Sequence, residues 1–185
     1  MLPEIALTIL DIAQNSVRAE ASLTEITVNA DTSADTLTVI IKDNGCGMST
    51  EQLERVTDPF FTTRTTRDIG LGVPFFKQSA EMTGGKFDII SELGVGTTTT
   101  AVYGFSHIDR MPLGDMVFTI HTLITCNIDK DFLFNYHIDD NSFALDTREF
   151  REVMGDVPLN EPEVSNYIKE FLDENIKEIV GELVI

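Results

Sequence analysis

The chemistry begins with two polar side chains four residues apart, Asp11 and Asn15 in "DIAQN". On a helix such a pair projects from one face. Asn competes for the backbone inside a helix and is a poor structural choice there. Its amide oxygen suits a hard cation such as Mg²⁺, which takes oxygen donors and keeps several waters. Asp11, one turn earlier, could hold a water of that ion. Taken alone, the pair reads first as the solvated face of a helix. A second feature is "DNGCGM". Asp43 leaves an apolar alternating run and is followed by Gly45 and Gly47, each with an entropic penalty that an ordinary turn residue avoids. The third is "DIGLG". Gly70, Leu71 and Gly72 lead into a helix, and amides at a helix start favour phosphate. Arg64, Arg67 and Lys77 are cations in the same region. The last is "GVGTT", with Thr97, which needs no role beyond a hairpin.

The elements that must position these groups are readable. Leu2, Ile5, Ile9, Ile12 and Ala13 recur at helical steps, predicting a helix over 2–20. "LTEITVNAD" and "DTLTVIIKD" read as strands joined by a short turn. "STEQLERV" opens like a capping box, with Ser49 and Gln52. "TDPFFTTRTTRDIGLG" reads as a long loop, and "VPFFKQSAEMT" resumes helical spacing with Pro74 in the first turn. "GGKFDIISE" and "TTTTAVYGF" form a further hairpin. After Phe105 the spacing predicts a helix over 112–125, a hairpin turning at Asp140–Asn141, and two capped helices. The order is α-β-β-α-β-β, then α-β-β-α-α.

Composition narrows the function. The chain has 185 residues and a net charge of −18. That charge disfavours duplex nucleic acid and anionic membranes, both of which reward clustered Lys and Arg. The acid is uneven. Residues 1–105 hold 14 acidic and 7 basic residues, a net of −7, and residues 106–185 hold 17 and 6, a net of −11. An anionic ligand would prefer the first part. Cys46 and Cys126 are too few for a disulfide framework or zinc site. With no apolar run long enough for a bilayer and no basic leader, a cytoplasmic location is expected.

The motifs become specific in order. D-x-x-x-N, D-x-G-x-G after a strand, D-P-F-F-T-T-R, G-L-G before a helix, then G-x-G-T, together resemble the histidine-kinase-like ATPase superfamily over residues 1–105. Sensor kinase catalytic domains, gyrase B, Hsp90, MutL and serine kinase anti-sigma factors are members. The resemblance implies an α+β, two-layer fold, a mixed sheet with helices on one face, holding ATP under a lid. It implies Mg²⁺ at Asn15 and the adenine amino group at Asp43. Gly45 and Gly47 would let the base lie on the backbone, with Thr97 supporting Asp43. Phe60 and Phe61 would fall in the lid, Arg64 near the phosphates, and Gly70, Leu71 and Gly72 in the phosphate loop. The catalytic position falls on Asp11, where the family usually carries Glu. That shorter carboxylate makes ATP binding better supported than hydrolysis. Asp68 replaces the first glycine of the usual phosphate loop. The phospho-acceptor helix of sensor kinases has no counterpart here, and His107, His121 and His137 read as structural or surface residues.

The expectation is an ATP-binding domain at 1–105 with Mg²⁺ and an acidic α/β appendage at 106–185 packing on it. Either a partner protein or water receives the γ-phosphoryl group, or the nucleotide gates binding to a partner. "SHIDRMPLGDM" and "LDTREFREVMGDVPLNEPEV" also look similar to stand-alone ATP-binding proteins of anaerobic bacteria, some associated with iron-only hydrogenase components.

Overall fold

The computed structural model describes residues 4–58 and 71–181. In chain order these form α1 (Ile5–Arg18), β1 (Leu23–Asp31), β2 (Thr36–Asp43), α2 (Thr50–Arg55), α3 (Gly72–Glu81), β3 (Lys86–Glu92) and β4 (Gly96–Gly104). Then follow α4 (Met116–Cys126), β5 (Asp131–Ile138), β6 (Asn141–Asp146), α5 (Thr147–Met154) and α6 (Pro162–Val180). The strands make one six-stranded sheet in the order β3-β4-β2-β1-β5-β6. All neighbours are antiparallel except β1 and β5, so the sheet is mixed.

Alternation along the strands explains why the fold has two layers. Ile26, Val28 and Ala30 of β1 oppose Ile41, Val39 and Leu37 of β2 in register. Phe134, Tyr136 and Ile138 of β5 continue the same rows. Side chains two apart share a face, so these residues make one face largely apolar, with Thr24 and Thr99 as buried polar members of it. The helices α1, α3, α4 and α6 cover it. Their buried residues include Ile5, Ile9, Phe76, Ile120, Leu123 and Leu172. Tyr103 is fully buried there with its hydroxyl 3.1 Å from Ser79 Oγ, and desolvation pushes its phenol up, an effect that this hydrogen bond partly opposes. The α+β, two-layer arrangement expected from the sequence is the one found.

The boundaries differ from expectation where tertiary contacts intervene. Pro112 and Leu113 do not begin a helix. Their carbonyls accept from the Ile5 and Ala6 amides, supplying partners for the first turn of α1. Gly114, at φ +85, turns the chain, and Asp115 caps α4 through its Oδ1, 2.7 Å from the Phe118 amide. Helix α1 stops at Arg18 because Glu20 adopts φ +58. The Glu20 and Ala21 amides return to the Val17 and Ser16 carbonyls, the two bonds of a Schellman closure with Glu in the usual glycine place. The last hairpin turns at Asp139–Asp140, one residue before the expected position. Asp139 takes φ +49, and its Oδ1 accepts from the Thr32 amide at 2.8 Å. The sheet also runs without a break across residue 105. Strand β5 pairs with β1 over Leu23–Ala30, and residues from both sides of that point share one core.

Candidate functional site

A cavity of about 310 Å³ opens between α1, the 43–48 loop, α2, the start of α3 and the first residues of β4. Ile12, Ile41, Val56 and Ile89 give it apolar walls. Asp43, Asn15, Arg18 and Thr97 supply polar groups. An apolar slot with a few convergent polar groups is the ordinary form of a small-molecule site.

Asp43 ends β2 with its carboxylate fixed from two sides. Oδ2 accepts from Ser16 Oγ at 2.7 Å, and Oδ1 accepts from the Gly45 amide at 2.9 Å. Ser16 is buried in α1, directly after Asn15. The loop beyond Asp43 is tied down at several points. Asn44 Oδ1 accepts from the Ser22 and Leu23 amides at 2.9 and 3.0 Å. The Cys46 amide donates to Ala19 O at 2.8 Å, and the Gly94 amide donates to Cys46 O at 2.7 Å.

These ties explain the glycines. A Cβ on Gly45 would stand 2.7 Å from Ala19 O, and one on Gly47 would meet the Glu92 carbonyl. Gly47 also has φ +64, a region that side chains disfavour. Gly96 faces the carbonyl of Asp43 in the same manner. The backbone approaching this loop is therefore the protein's own, a requirement for glycine that holds before any ligand is considered.

Asn15 lines the cavity, and its Oδ1 accepts from Arg18 Nη1 at 3.0 Å. Thr97 lies beside Asp43 in the β2–β4 register, and its hydroxyl is 2.8 Å from Ser91 Oγ. Gly72, the first residue of α3, lines the same cavity. Asp11 and Leu71 do not join them. With Gly72, they line an adjacent cavity of about 430 Å³ bordered by Glu4, Leu7 and Phe75. The Asp11 carboxylate lies where a Cβ on Gly72 would be. Phe60, Arg64 and Gly70, with Phe61, Arg67 and Asp68, lie outside the described residues.

Sequence reasoning missed Ser16, Arg18, Asn44 and Ser91. Ser16 and Arg18 carry a signal, since they follow Asn15 on the same helix. Nothing local marks Ser91, which reaches the site only through strand pairing. Among the described residues, no group of three His, Cys, Asp or Glu could hold a metal ion. A cation here would use the Asn15 amide oxygen together with ligand oxygens and water, the sparse protein coordination typical of Mg²⁺.

The sequence pattern of the family described as "Histidine kinase-, DNA gyrase B-, and HSP90-like ATPase" matches residues 3–106, more than half of the chain. The chain belongs to this family. The match takes in α1 through β4, the elements that build the cavity. Sensor protein SrrB of Staphylococcus aureus is 34% identical over 93 residues, 48% of this chain and 16% of that protein. Histidine protein kinase DivJ of Caulobacter vibrioides is 30% identical over 96 residues, 50% of this chain and 16% of that protein. The chain thus spans about one sixth of the length of these relatives. A crystal structure of the N terminal domain of a DNA repair protein aligns with a TM-score of 0.56 at 14% identity. It covers 77% of this chain and 52% of that one. That likeness concerns the fold. Among the described residues, no helix is long and apolar enough to cross a membrane.

Proposed function

We propose that this chain binds ATP with Mg²⁺ in the cavity beside Asp43. Its output is slow hydrolysis or transfer of the γ-phosphoryl group to a partner protein, in the cytoplasm and away from nucleic acid. One observation carries the reading: the Asp43 carboxylate, braced by Ser16 and the Gly45 amide, lines a partly apolar cavity whose wall also holds Asn15. A fixed acceptor suits the exocyclic amine of adenine, and guanine offers a carbonyl at that position. Thr97, next to Asp43 on the neighbouring strand, supports the same end. Asn15 Oδ1 is the protein oxygen that would hold Mg²⁺, and Arg18 would give up its hydrogen bond to that oxygen. Bound Mg²⁺ supplies charge neutralisation for the phosphates. Gly72 and Leu71, with Gly70, Arg64 and Phe60 beyond the described residues, belong to the phosphate and lid end of this proposal. Residues 1–105 carry the nucleotide site, and 106–185 form the acidic α/β appendage packing on it.

A second reading, a nucleotide-gated module with little turnover, is favoured by the place of Asp11. Its carboxylate packs on Gly72 in the neighbouring cavity, which suits a brace more than a base activating water.

Calorimetry with ATP, with and without Mg²⁺, tests the first step. Wild type is expected to bind ATP more tightly with Mg²⁺, and Asn15→Ala to lose that dependence while binding adenosine nearly unchanged. Magnesium enhancement that persists in Asn15→Ala would make Asn15 a helix-surface residue. Labelled ATP then separates the outputs: label on a second protein indicates a kinase, ADP release an ATPase, and binding alone the gated module.

A further inference from the structure

We infer that Ser91 is a positioning residue that holds the rim of the cavity in place from behind. Its consequence for a ligand rests on the nucleotide reading above, whereas its effect on the loop does not. Ser91 lies on β3 and is not among the cavity's described lining residues, but Met48 and Thr97 are. The Met48 amide donates to Ser91 Oγ at 2.9 Å. Ser91 Oγ is 3.1 Å from the Gly96 carbonyl and 2.8 Å from Thr97 Oγ1. A serine hydroxyl has one proton and two lone pairs. With that proton on the Gly96 carbonyl, Ser91 accepts from both the Met48 amide and Thr97. Every bonding position of the hydroxyl is then used, and the lone pairs of Thr97 remain as acceptors beside Asp43.

The strand register shows why this one residue reaches so far. Ser91 is paired with Thr97 across β3–β4, and Thr97 with Asp43 across β4–β2. A single row thus joins Ser91 to the carboxylate that begins the loop. The loop starts from that row at Asp43 and returns to it at Met48. Between them it is held by Ala19 through the Cys46 amide and by Gly94 through the Cys46 carbonyl. The Gly47 contact with the Glu92 carbonyl leaves no slack on the same side. Without the hydroxyl, the Met48 end of the loop has lost its partner on β3, and the rim can move away from the hairpin.

Site-resolved amide exchange and calorimetry on Ser91→Ala and Ser91→Thr test this. In ligand-free Ser91→Ala, exchange at Met48 is expected to accelerate about tenfold while Ala101, in the centre of β4, stays within twofold of wild type. The Kd for ATP with Mg²⁺ should rise about 3- to 10-fold, the range set by loss of one hydrogen bond. Ser91→Thr keeps the hydroxyl on a residue suited to a strand and should restore both values, a rescue that loss of bulk packing would not give. Unchanged Met48 exchange in Ser91→Ala overturns the inference, as does unchanged ATP affinity once exchange has risen. Wild type that fails to bind ATP sinks the nucleotide reading instead, because the exchange measurement needs no ligand.

Discussion

Asp43 receives hydrogen bonds from Ser16 Oγ and the Gly45 amide, and both require an acceptor. Asp43→Asn keeps the size but turns one of the two oxygens into a donor. That amide must face either the serine, which can reverse its proton, or the Gly45 N–H, which cannot accept, and in either place it offers a ligand's amine one acceptor fewer. Hydrogen bonds to charged groups contribute about 1.5–3 kcal/mol, so ATP affinity is expected to fall by about that amount. Calorimetry on the folded variant checks this, and unchanged affinity would remove Asp43 from the site. The neighbouring glycines do not report on the ligand in the same way. Gly45 and Gly47 are required by the Ala19 and Glu92 backbones, so their replacement would disturb the loop whether or not a nucleotide binds.

Helix α5 joins the last strand to α6 and starts from a charged cap. Asp146 Oδ1 accepts from the Arg148 amide at 2.9 Å, while Arg148 Nη2 donates to Oδ2 at 2.6 Å. The Arg148 side-chain hydrogen bond is the main reason that the Asp146 carboxyl sits below its ordinary range, with burial opposing it. A carboxyl depressed by folding stabilises above its unfolded value, and the contribution disappears as pH falls through the depressed one. Asn is also a good N-cap, so Asp146→Asn isolates the charge from the cap. The variant should be less stable than wild type at neutral pH, and the difference should shrink below about pH 4, where an unfolded Asp protonates. Urea midpoints across that range measure it. A difference that stays constant into acid would assign the effect to the cap. Arg148 is half exposed, and salt should weaken the effect.

On the scale of the whole molecule, residues after 105 are bound into the sheet that carries the cavity. β5 lies in register against β1, and Phe134 faces the core opposite Ile26. Phe134 is fully buried, with Tyr136 and Phe143 rings around it. Removing such a ring costs about 3–5 kcal/mol. If the sheet unfolds as one unit, Phe134→Ala should lower the protection of the Ala101 amide in β4 by the equivalent of that loss. Native-state hydrogen exchange makes the comparison. Protection at Ala101 that is indifferent to the change would show that residues 1–105 fold on their own, with the remainder as an added part. Tyr136, on the same strand, is pushed up to about 12 by burial. Alkaline titration followed by phenolate absorbance should therefore ionise it at higher pH than an exposed tyrosine.

The amino-acid sequence by itself determined the elements and the ordered motifs. Period-two alternation in β1 and β2, helical spacing in α1 and the Ser49–Gln52 capping box are local patterns, and each formed close to where it was read. The motif order was also enough for the family, because Asp43, the glycine pairs and Thr97 occur at family intervals. Only the tertiary structure decided what meets what. It set the Asp11 carboxylate against Gly72 rather than in the cavity with Asn15, and it carried Ser91 to the rim through two strand pairings. It also laid β5 along β1, more than 100 residues earlier in the chain. Local spacing fixes the face on which a side chain emerges. Its partner across the fold depends on register between distant segments, which is set jointly by every strand and helix packed against them.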